Sequence, residues 1–591
     1  MIIKIKIILN HAKEWFSLQG VLAQLSIVIF IGFLVVLLSG FFLGSVEDSY
    51  NIFVDPQSLF TENKGYIRMT YSFLLMLFGL VVAGFIISVL SSSLEQTFRD
   101  IRRGRLDFIG QDHTMIINYN EKILNILDEI NKLHIKSQAI HDVIIIIAND
   151  DKIEHLQDII KDSHFSNLKI RVRFGDVYSI HRYKELSLLE SNALIILSDE
   201  TIEDEFIRDN NNLKIVNILY RDEEFKTVLE NNRKIYKPNK IVVEFTNYKY
   251  FTKLISNITD SYFIAIAPKE ILSSILNISI LNIDFYNIWS QLLSYDGHEI
   301  YFVNPAEHNL IGSTYKDILL RHQNGMMIGL SRATESSFEI LLNANEETIY
   351  QTDFLIFIAK EMGSISFKEK PISYENDIAD NTSRKIHLIN QPEVTFVRNI
   401  LIIGDHLMLS NNNFINMEKS TVLYSNPNRG DLFSKEYYDD WLAAEFDSIV
   451  INLNDEMMYR VAFELQVLYS MKELEVFVFL TNNDLISDQL FKAGFHNTIS
   501  SNLFFSKYIS QVSRQITLDK VFNMLFVDHT KINFLNTSEI PKEFLSDINR
   551  LRYQLVNNNM SYLGCVDNNE NIIFESTDVE KASKIIVLTN G

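Results

Sequence analysis

A single cysteine, Cys565, is all that 591 residues contain. A disulfide framework or an intrachain thiolate cluster needs more, so neither organises this chain, and a reducing compartment suits it. Positive charge is also scarce: 54 Lys and Arg stand against 75 Asp and Glu, a formal net charge of −21. Binding nucleic acid requires a basic face against the phosphates, and that class of partner is excluded. Charge of either sign is missing from two long stretches, Trp15 to Val46 and Met69 to Leu94.

A helix rising about 1.5 Å per residue needs roughly 20 apolar residues to cross a hydrocarbon core about 30 Å thick, and both stretches exceed that length. The first is too long, and too poor in a small-residue cleavage site, for a signal peptide. Lys4, Lys6 and Lys13 precede the first stretch, and Arg99, Arg102, Arg103 and Arg105 follow the second. The segment between them carries Glu47, Asp48, Asp55 and Glu62 against Lys64 and Arg68. By the positive-inside rule both termini are cytoplasmic, and the protein is a multi-pass component of the cytoplasmic membrane. A hairpin that merely anchors a soluble domain fits the same pattern.

The mean hydropathy of +0.04 leaves room for two or three ordinary domains after the hairpin. Short Ile/Val runs at Thr114–Asn118, His141–Ala148, Leu168–Arg173, Ala193–Leu197 and Lys240–Phe245 alternate with helix-periodic stretches. Such runs predict a parallel sheet covered on both faces, hence a Rossmann-like domain over 112–290. The first strand-to-helix turn of that fold normally carries glycines, which let the backbone approach a pyrophosphate. Here it reads Asn118-Tyr-Asn120-Glu-Lys122, without glycine. Asn118 and Asn120 remain ligand-binding candidates, and Asp150 stands where a ribose hydroxyl acceptor belongs. A bound nucleotide and hydride-transfer catalysis are not expected. The acidic stretch Asp199, Glu200, Glu203 and Asp204 is either a Ca2+ site built from hard oxygen ligands or a solvated helix start favoured by the dipole.

A second, shorter stretch of the same kind begins at Asn399. Asn399–Ile403, Thr421–Tyr424, Phe446–Glu456 and Glu475–Leu480 echo the first set, so an internal repeat is expected. Between the copies, Gly297–Val303, Met326–Leu330, Phe338–Leu342 and Asp353–Ile358 read as an antiparallel lobe. A comparable lobe should close the chain, ending on Lys584–Leu588.

The order of these parts resembles the Castor/Pollux family of ion channels and, more broadly, channels gated by RCK domains. The likeness rests on Phe98-Arg-Asp-Ile-Arg-Arg-Gly-Arg105, on His113 to Lys122, on Gly175-Asp176 after the third strand, which makes Asp176 a further ligand candidate, and on Phe446 to Glu456. It implies a homotetramer in which four hairpins surround a pore for K+, Na+ and Ca2+, with paired RCK domains gating it in response to a ligand such as Ca2+. Glu47 to Pro56 would be the pore helix and filter. No Thr-Val-Gly-Tyr-Gly motif lies between Ser45 and Arg68; Phe53-Val54-Asp55-Pro56 resembles an aspartate-bearing filter instead, with Glu47 and Asp48 nearby.

The expected layout is therefore an N-terminal segment 1–20 and a pore domain 21–98, with spans 21–44 and 69–94 about a pore loop 45–66. A basic linker 99–111 of Arg99, Arg102, Arg103 and Arg105 leads to a first Rossmann-like RCK domain 112–290 and its α+β lobe 291–370. A linker 371–395, a second RCK domain 396–530 and a second lobe 531–591 complete it. Gly79, Gly84 and Ser88 are candidates for an inner-helix gate, with close packing the competing role for the glycines. No catalytic residue is expected. A membrane-anchored nucleotide sensor or transporter-regulatory subunit, and a membrane-bound oxidoreductase, are the rival readings.

Overall fold

The structure is a computed structural model that describes residues 15, 21–55, 65–102, 104–234, 240–246, 263–279, 283–334, 338–372, 399–404, 420–426, 434–443, 446–470, 476–515, 517–527, 532–568, 571–575 and 579–589. It divides into two compact units, Met1–Leu106 and Asp107–Gly591.

In the first unit, α1 (Val21–Leu43), the short α2 (Val46–Val54) and α3 (Tyr66–Arg102) follow one another. The windows Val21–Leu43 and Tyr66–Glu95 are long and apolar enough to cross a membrane. Ser45 caps α2, its Oγ accepting from the Asp48 N–H at 3.2 Å, with Glu47 and Asp48 in the first turn, where the dipole favours acids. Leu43, Ile52 and Leu75 form a small core joining the three helices. Beyond the apolar window α3 continues through Arg102, so the expected basic linker starts as helix. It stops at Gly104, whose φ of +65° suits glycine and whose N–H returns to the Ile101 carbonyl at 3.1 Å.

The second unit is built from two copies of one plan. In the first copy, β1 (Thr114–Ile117), β2 (His141–Ile147), β3 (Leu168–Phe174), β4 (Ala193–Ile196), β5 (Lys240–Glu244) and β6 (Phe263–Ile266) form a parallel sheet in the order 3-2-1-4-5-6. Helices α4 (Ile123–Lys136), α5 (Asp150–Asp162), α6 (Ile180–Glu185), α7 (Glu205–Arg221) and α8 (Glu223–Lys234) connect them. Successive side chains alternate between faces. Ile116, Ile145 and Ile195 enter one core, whereas Met115, Ile117, Ile144, Ile146, Leu194 and Ile196 enter another on the opposite side. The continuous Ile runs thus follow from burial on both faces.

After the crossover helices α9 (Pro268–Ser279) and α10 (Asp284–Leu292), strands β7 (Glu299–Val303), β8 (Met326–Ala333), β9 (Phe338–Leu342) and β10 (Asp353–Ala359) make an antiparallel lobe in the order 7-10-8-9, with α11 (Tyr315–Arg321) on it. The second copy repeats this with β11 (Asn399–Gly404), β12 (Thr421–Ser425), β13 (Ser448–Asn452), β14 (Phe477–Thr481) and β15 (Thr498–Ser500) in the order 12-11-13-14-15. Helices α12 (Lys435–Ala443), α13 (Asp455–Leu468), α14 (Asp484–Lys492), α15 (Ser501–Val512) and α16 (Leu518–Val527) accompany it. Its lobe, β16 (Ile532–Asn536), β17 (Met560–Asp567), β18 (Ile572–Phe574) and β19 (Ala582–Thr589) with α17 (Lys542–Leu545) and α18 (Ile548–Asn557), has the order 16-19-17-18. The two lobes share one topology, and among the described residues the second sheet shows no counterpart of β3. Strands β6 and β15, only four and three residues long, were not expected from the amino-acid pattern. The region after Gly404, and 373–395 of the expected linker, lie outside the described residues.

The copies are fused through α15, buried on nearly all sides and packed on α4. Ser506 and Ser510 are small enough to let the helices approach: Ser510 Oγ donates to the Ile126 carbonyl at 3.4 Å, and Ser506 Oγ, which donates to the Asn502 carbonyl of its own helix at 2.6 Å, lies 3.4 Å from the Lys122 carbonyl. Tyr295 Oη donates to the Ser510 carbonyl at 3.2 Å, and Tyr286 Oη accepts from the Ser500 N–H, also at 3.2 Å. The lobes also meet. Tyr553 and Val556 of α18 enter the core of the first lobe, and Arg552 Nη2 donates to the Leu319 carbonyl at 3.2 Å and to the His322 ring Nε2 at 2.6 Å.

Since Arg552 can only donate, the His322 ring must be neutral to accept. Burial, reinforced by the Arg552 guanidinium, holds His322 well below the ordinary histidine range, and burial lowers Arg552 itself to about 10. Protonation of the unfolded chain near pH ~6.5 therefore opposes folding: stability is full above that pH and declines as pH falls below it toward the depressed folded value. The thermal midpoint of the purified protein should fall between pH 7 and 5, and His322→Gln should flatten that dependence. Buried His113, held at about 4, keeps part of the slope.

Candidate functional site

The carboxyl ends of β1, β4 and β5 meet at the mouth of the first sheet, the place where ligands bind in doubly wound folds. Asn118 ends β1 with φ +75°, a left-handed conformation that Asn tolerates better than most residues other than Gly. Its buried Nδ2 donates to the Leu197 carbonyl at 2.9 Å and to Asn212 Oδ1 at 3.0 Å. Asn120 Nδ2 donates to the Ser198 carbonyl at 3.0 Å, while its Oδ1 accepts from the Lys122 N–H at 2.8 Å. The missing glycines are thus replaced by asparagines whose side chains tie the turn to its neighbours.

What would be a phosphate cradle is occupied by the protein's own carboxylates. Glu200 accepts the Glu121 N–H at 2.8 Å, and Glu244 accepts the Ser198 N–H at 3.1 Å. Lys122 Nζ lies 3.0 Å from Glu244 and 3.7 Å from Glu200. Burial acts to lower the Lys122 pKa, but the carboxylates of Glu244 and Glu200 outweigh it and hold the ammonium above its ordinary range. Burial raises Glu200 in spite of Lys122. Lys122, Glu244 and Asn212 carry this network, and sequence reasoning missed them. The available signal was a charged residue, Glu244, closing the apolar run Ile241-Val-Val243.

The acidic stretch spreads its carboxylates over different partners, and part of it is the helix start that was the alternative to a Ca2+ site. Asp199 Oδ1 accepts the Thr201 N–H and hydroxyl at 3.0 and 2.7 Å, and Glu200 faces Lys122. Asp204 caps α7 through the Phe206 and Ile207 N–H groups, and Glu203 is exposed. No group of three or more potential metal ligands occurs among the described residues. Asp150 opens α5, a position described by its backbone alone. Asp176 is exposed and accepts the Tyr178 N–H at 2.9 Å. Its neighbour Gly175 leaves room for Arg182, whose Nη1 reaches Asp107 at 3.1 Å and Glu185 at 2.9 Å. The contacts of the Gly-Asp pair are thus local, within the turn that follows β3.

In the first unit, Asp55 is the C-cap of α2, its N–H bonded to the Asn51 carbonyl at 2.8 Å, and Val54 beside it is exposed. Glu47 and Asp48 sit at the other end of this helix, about 12 Å away at 1.5 Å per residue, so they do not share one cluster with Asp55. Pro56 and Arg103 lie outside the described residues. Gly79 lies against the Phe53 backbone, whereas Gly84 has open space around it and Ser88 is exposed. Arg68 reaches from α3 to the Leu43 carbonyl at the end of α1, and Ser39 Oγ lies 3.0 Å from Tyr71 Oη.

Residues 269–374, from α9 through β10, match the family model described as Castor and Pollux, part of voltage-gated ion channel. The likeness to Castor and Pollux is located in this stretch. Over 288 residues it is 22% identical to the probable ion channel CASTOR of Oryza sativa subsp. japonica, covering 48% of this chain and 30% of that protein. It is 21% identical over 288 residues to the ion channel CASTOR of Lotus japonicus, covering 48% and 31% respectively. The matched part thus spans under a third of either relative. Among solved structures, the human SLO3 gating ring is similar with 9% identity and a TM-score of 0.49 over 81% of this chain and 99% of that one. The GsuK channel bound to NAD is similar with 11% identity and a TM-score of 0.39 over 99% and 97%.

Removing one member of the Lys122–Glu244 pair strands the other charge in a site where both side chains are under a tenth exposed. Lys122→Ala should cost roughly 3–5 kcal/mol in chemical denaturation, and the double variant Lys122→Met, Glu244→Gln should recover most of that loss.

Proposed function

We propose that this chain is the subunit of a tetrameric, ligand-regulated cation channel of Castor/Pollux type, with both termini cytoplasmic. The observation that carries the reading is α2, a nine-residue helix folded back against α1 and α3, with Asp55 on its C-terminal cap. The likeness to Castor and Pollux, and relatives that are themselves named as ion channels, support it.

One hairpin has too few helices to enclose a path, so a closed symmetric assembly is required. Fourfold symmetry then brings four Asp55 carboxylates into one ring. Non-helical backbone such as that following Asp55 is tolerated at membrane depth where it lines water or is buried in protein. A carboxylate ring concentrates K+, Na+ and Ca2+ but lacks the stacked carbonyls that discriminate potassium from sodium. The doubled Rossmann unit is the regulatory part, and the reading includes no catalysis. Its first crevice is filled by Glu200 and Glu244, so the regulatory ligand is not a nucleotide held there. A ligand opens such a pore only through its differential affinity for two states of the regulatory unit.

Reconstituted into a planar bilayer, the protein should give unitary cation currents without a partner. Asp55→Asn should reduce conductance and divalent affinity, most at low ionic strength, where fixed charge is least screened; unchanged currents across a salt series remove Asp55 from the filter. Inserting a flexible Gly/Ser segment after Arg105, beyond the Gly104 break, should uncouple ligand from opening while unitary conductance persists. An unaltered dose-response and maximal open probability in that variant exclude the chain connection as the coupling route.

A further inference from the structure

The short helix α2 rests on glycines at both of its ends. At its start, a Cβ built on Gly40 of α1 would lie 2.6 Å from Val46 Cγ2 and 3.0 Å from Val46 Cα. At its finish, a Cβ on Gly32 of α1 would lie 3.2 Å from Phe53 Cζ, and a Cβ on Gly79 of α3 would collide with the Phe53 carbonyl oxygen. Gly32 and Gly40 stand eight residues apart, about 12 Å along α1, while Val46 and Phe53 span about 10 Å along α2. The contacts pair Gly40 with Val46 and Gly32 with Phe53, so α2 lies antiparallel along α1 with its last turn wedged between α1 and α3.

We infer that Gly32 and Gly79 are positioning residues that set where Asp55 stands, an inference resting on the channel reading above. Asp55 follows Phe53 by two residues, and its N–H is tied back into the same turn through the Asn51 carbonyl at 2.8 Å. Any displacement of the Phe53 backbone therefore moves the Asp55 cap with it. The two seats differ in kind. Gly79 faces backbone atoms of Phe53, which no side-chain change can withdraw, whereas Gly32 faces the far end of the Phe53 ring, which a shorter side chain vacates. Gly84, five residues further along α3, would meet nothing within 4 Å if it carried a methyl group, and it takes no part in the seat. Gly79 thus acts on permeation through α2. It is not a hinge of the inner helix, because bending α3 there would separate it from the backbone it supports.

Single-channel recording of the full chain in bilayers, alongside size-exclusion chromatography for assembly, tests this. Gly79→Ala should lose much of its unitary conductance and its divalent affinity while the ligand dependence of the remaining openings is retained. Gly32→Ala should lose less, and adding Phe53→Leu to it should restore conductance; the same Phe53→Leu should not restore Gly79→Ala. Wild-type conductance in Gly79→Ala, with altered open probability, overturns the inference in favour of a hinge. If Gly79→Ala does not assemble, the Gly32 pair decides: failure of Phe53→Leu to restore Gly32→Ala overturns the seat. Wild-type protein that passes no current overturns the channel reading itself, and the inference with it.

Discussion

The packing of α15 on α4 is the contact on which the second unit depends. Each Rossmann sheet is covered on both faces by helices of its own copy, and α4 and α15 are the covering helices through which the two copies touch. Through this contact, Ile116, Ile145 and Ile195 of the first sheet belong to the same hydrophobic cluster as Ile400, Ile402, Val450 and Ile499 of the second. Non-directional burial would allow these helices to slide. The seryl and tyrosyl hydrogen bonds to specific carbonyls fix their register, since a buried polar group left without its partner costs about 1–3 kcal/mol.

Lys122 is where this interface and the crevice meet. Its ammonium joins Glu244 and Glu200 at the mouth of the first sheet, and its carbonyl lies 3.4 Å from the Ser506 hydroxyl of α15. A change in the charge network at the crevice therefore bears directly on the first turn of α4 and on the contact with the second copy.

The first unit obeys a different constraint. Within an apolar stretch there is little directional chemistry to position a short helix, and close approach at small residues substitutes for it. Gly40, Gly32 and Gly79 supply that approach, while Ser45 and the first-turn acids fix the start of α2. Arg68 donating to the Leu43 carbonyl adds a charge-assisted hydrogen bond at the end of α1, where the helix dipole favours positive charge.

The uncharged runs, the Ile/Val strands alternating with helices, and the repeat were legible in the amino-acid order because each is a periodic burial pattern that composition alone expresses. The absence of glycine at Asn118 to Lys122 was equally plain, and with it the loss of a phosphate cradle. What filled the cradle was not legible: Glu200 and Glu244 reach Lys122 from 78 and 122 residues away, and only the parallel register of β1, β4 and β5 brings them there. The acidic stretch looked like a ligand set because its members are adjacent in sequence, yet a turn and a helix cap send their carboxylates to different partners. Glycine at position 79 was visible as a residue and ambiguous as a role. Folding α2 back between α1 and α3 decided it, since the backbone of Phe53 occupies the space where a side chain would be.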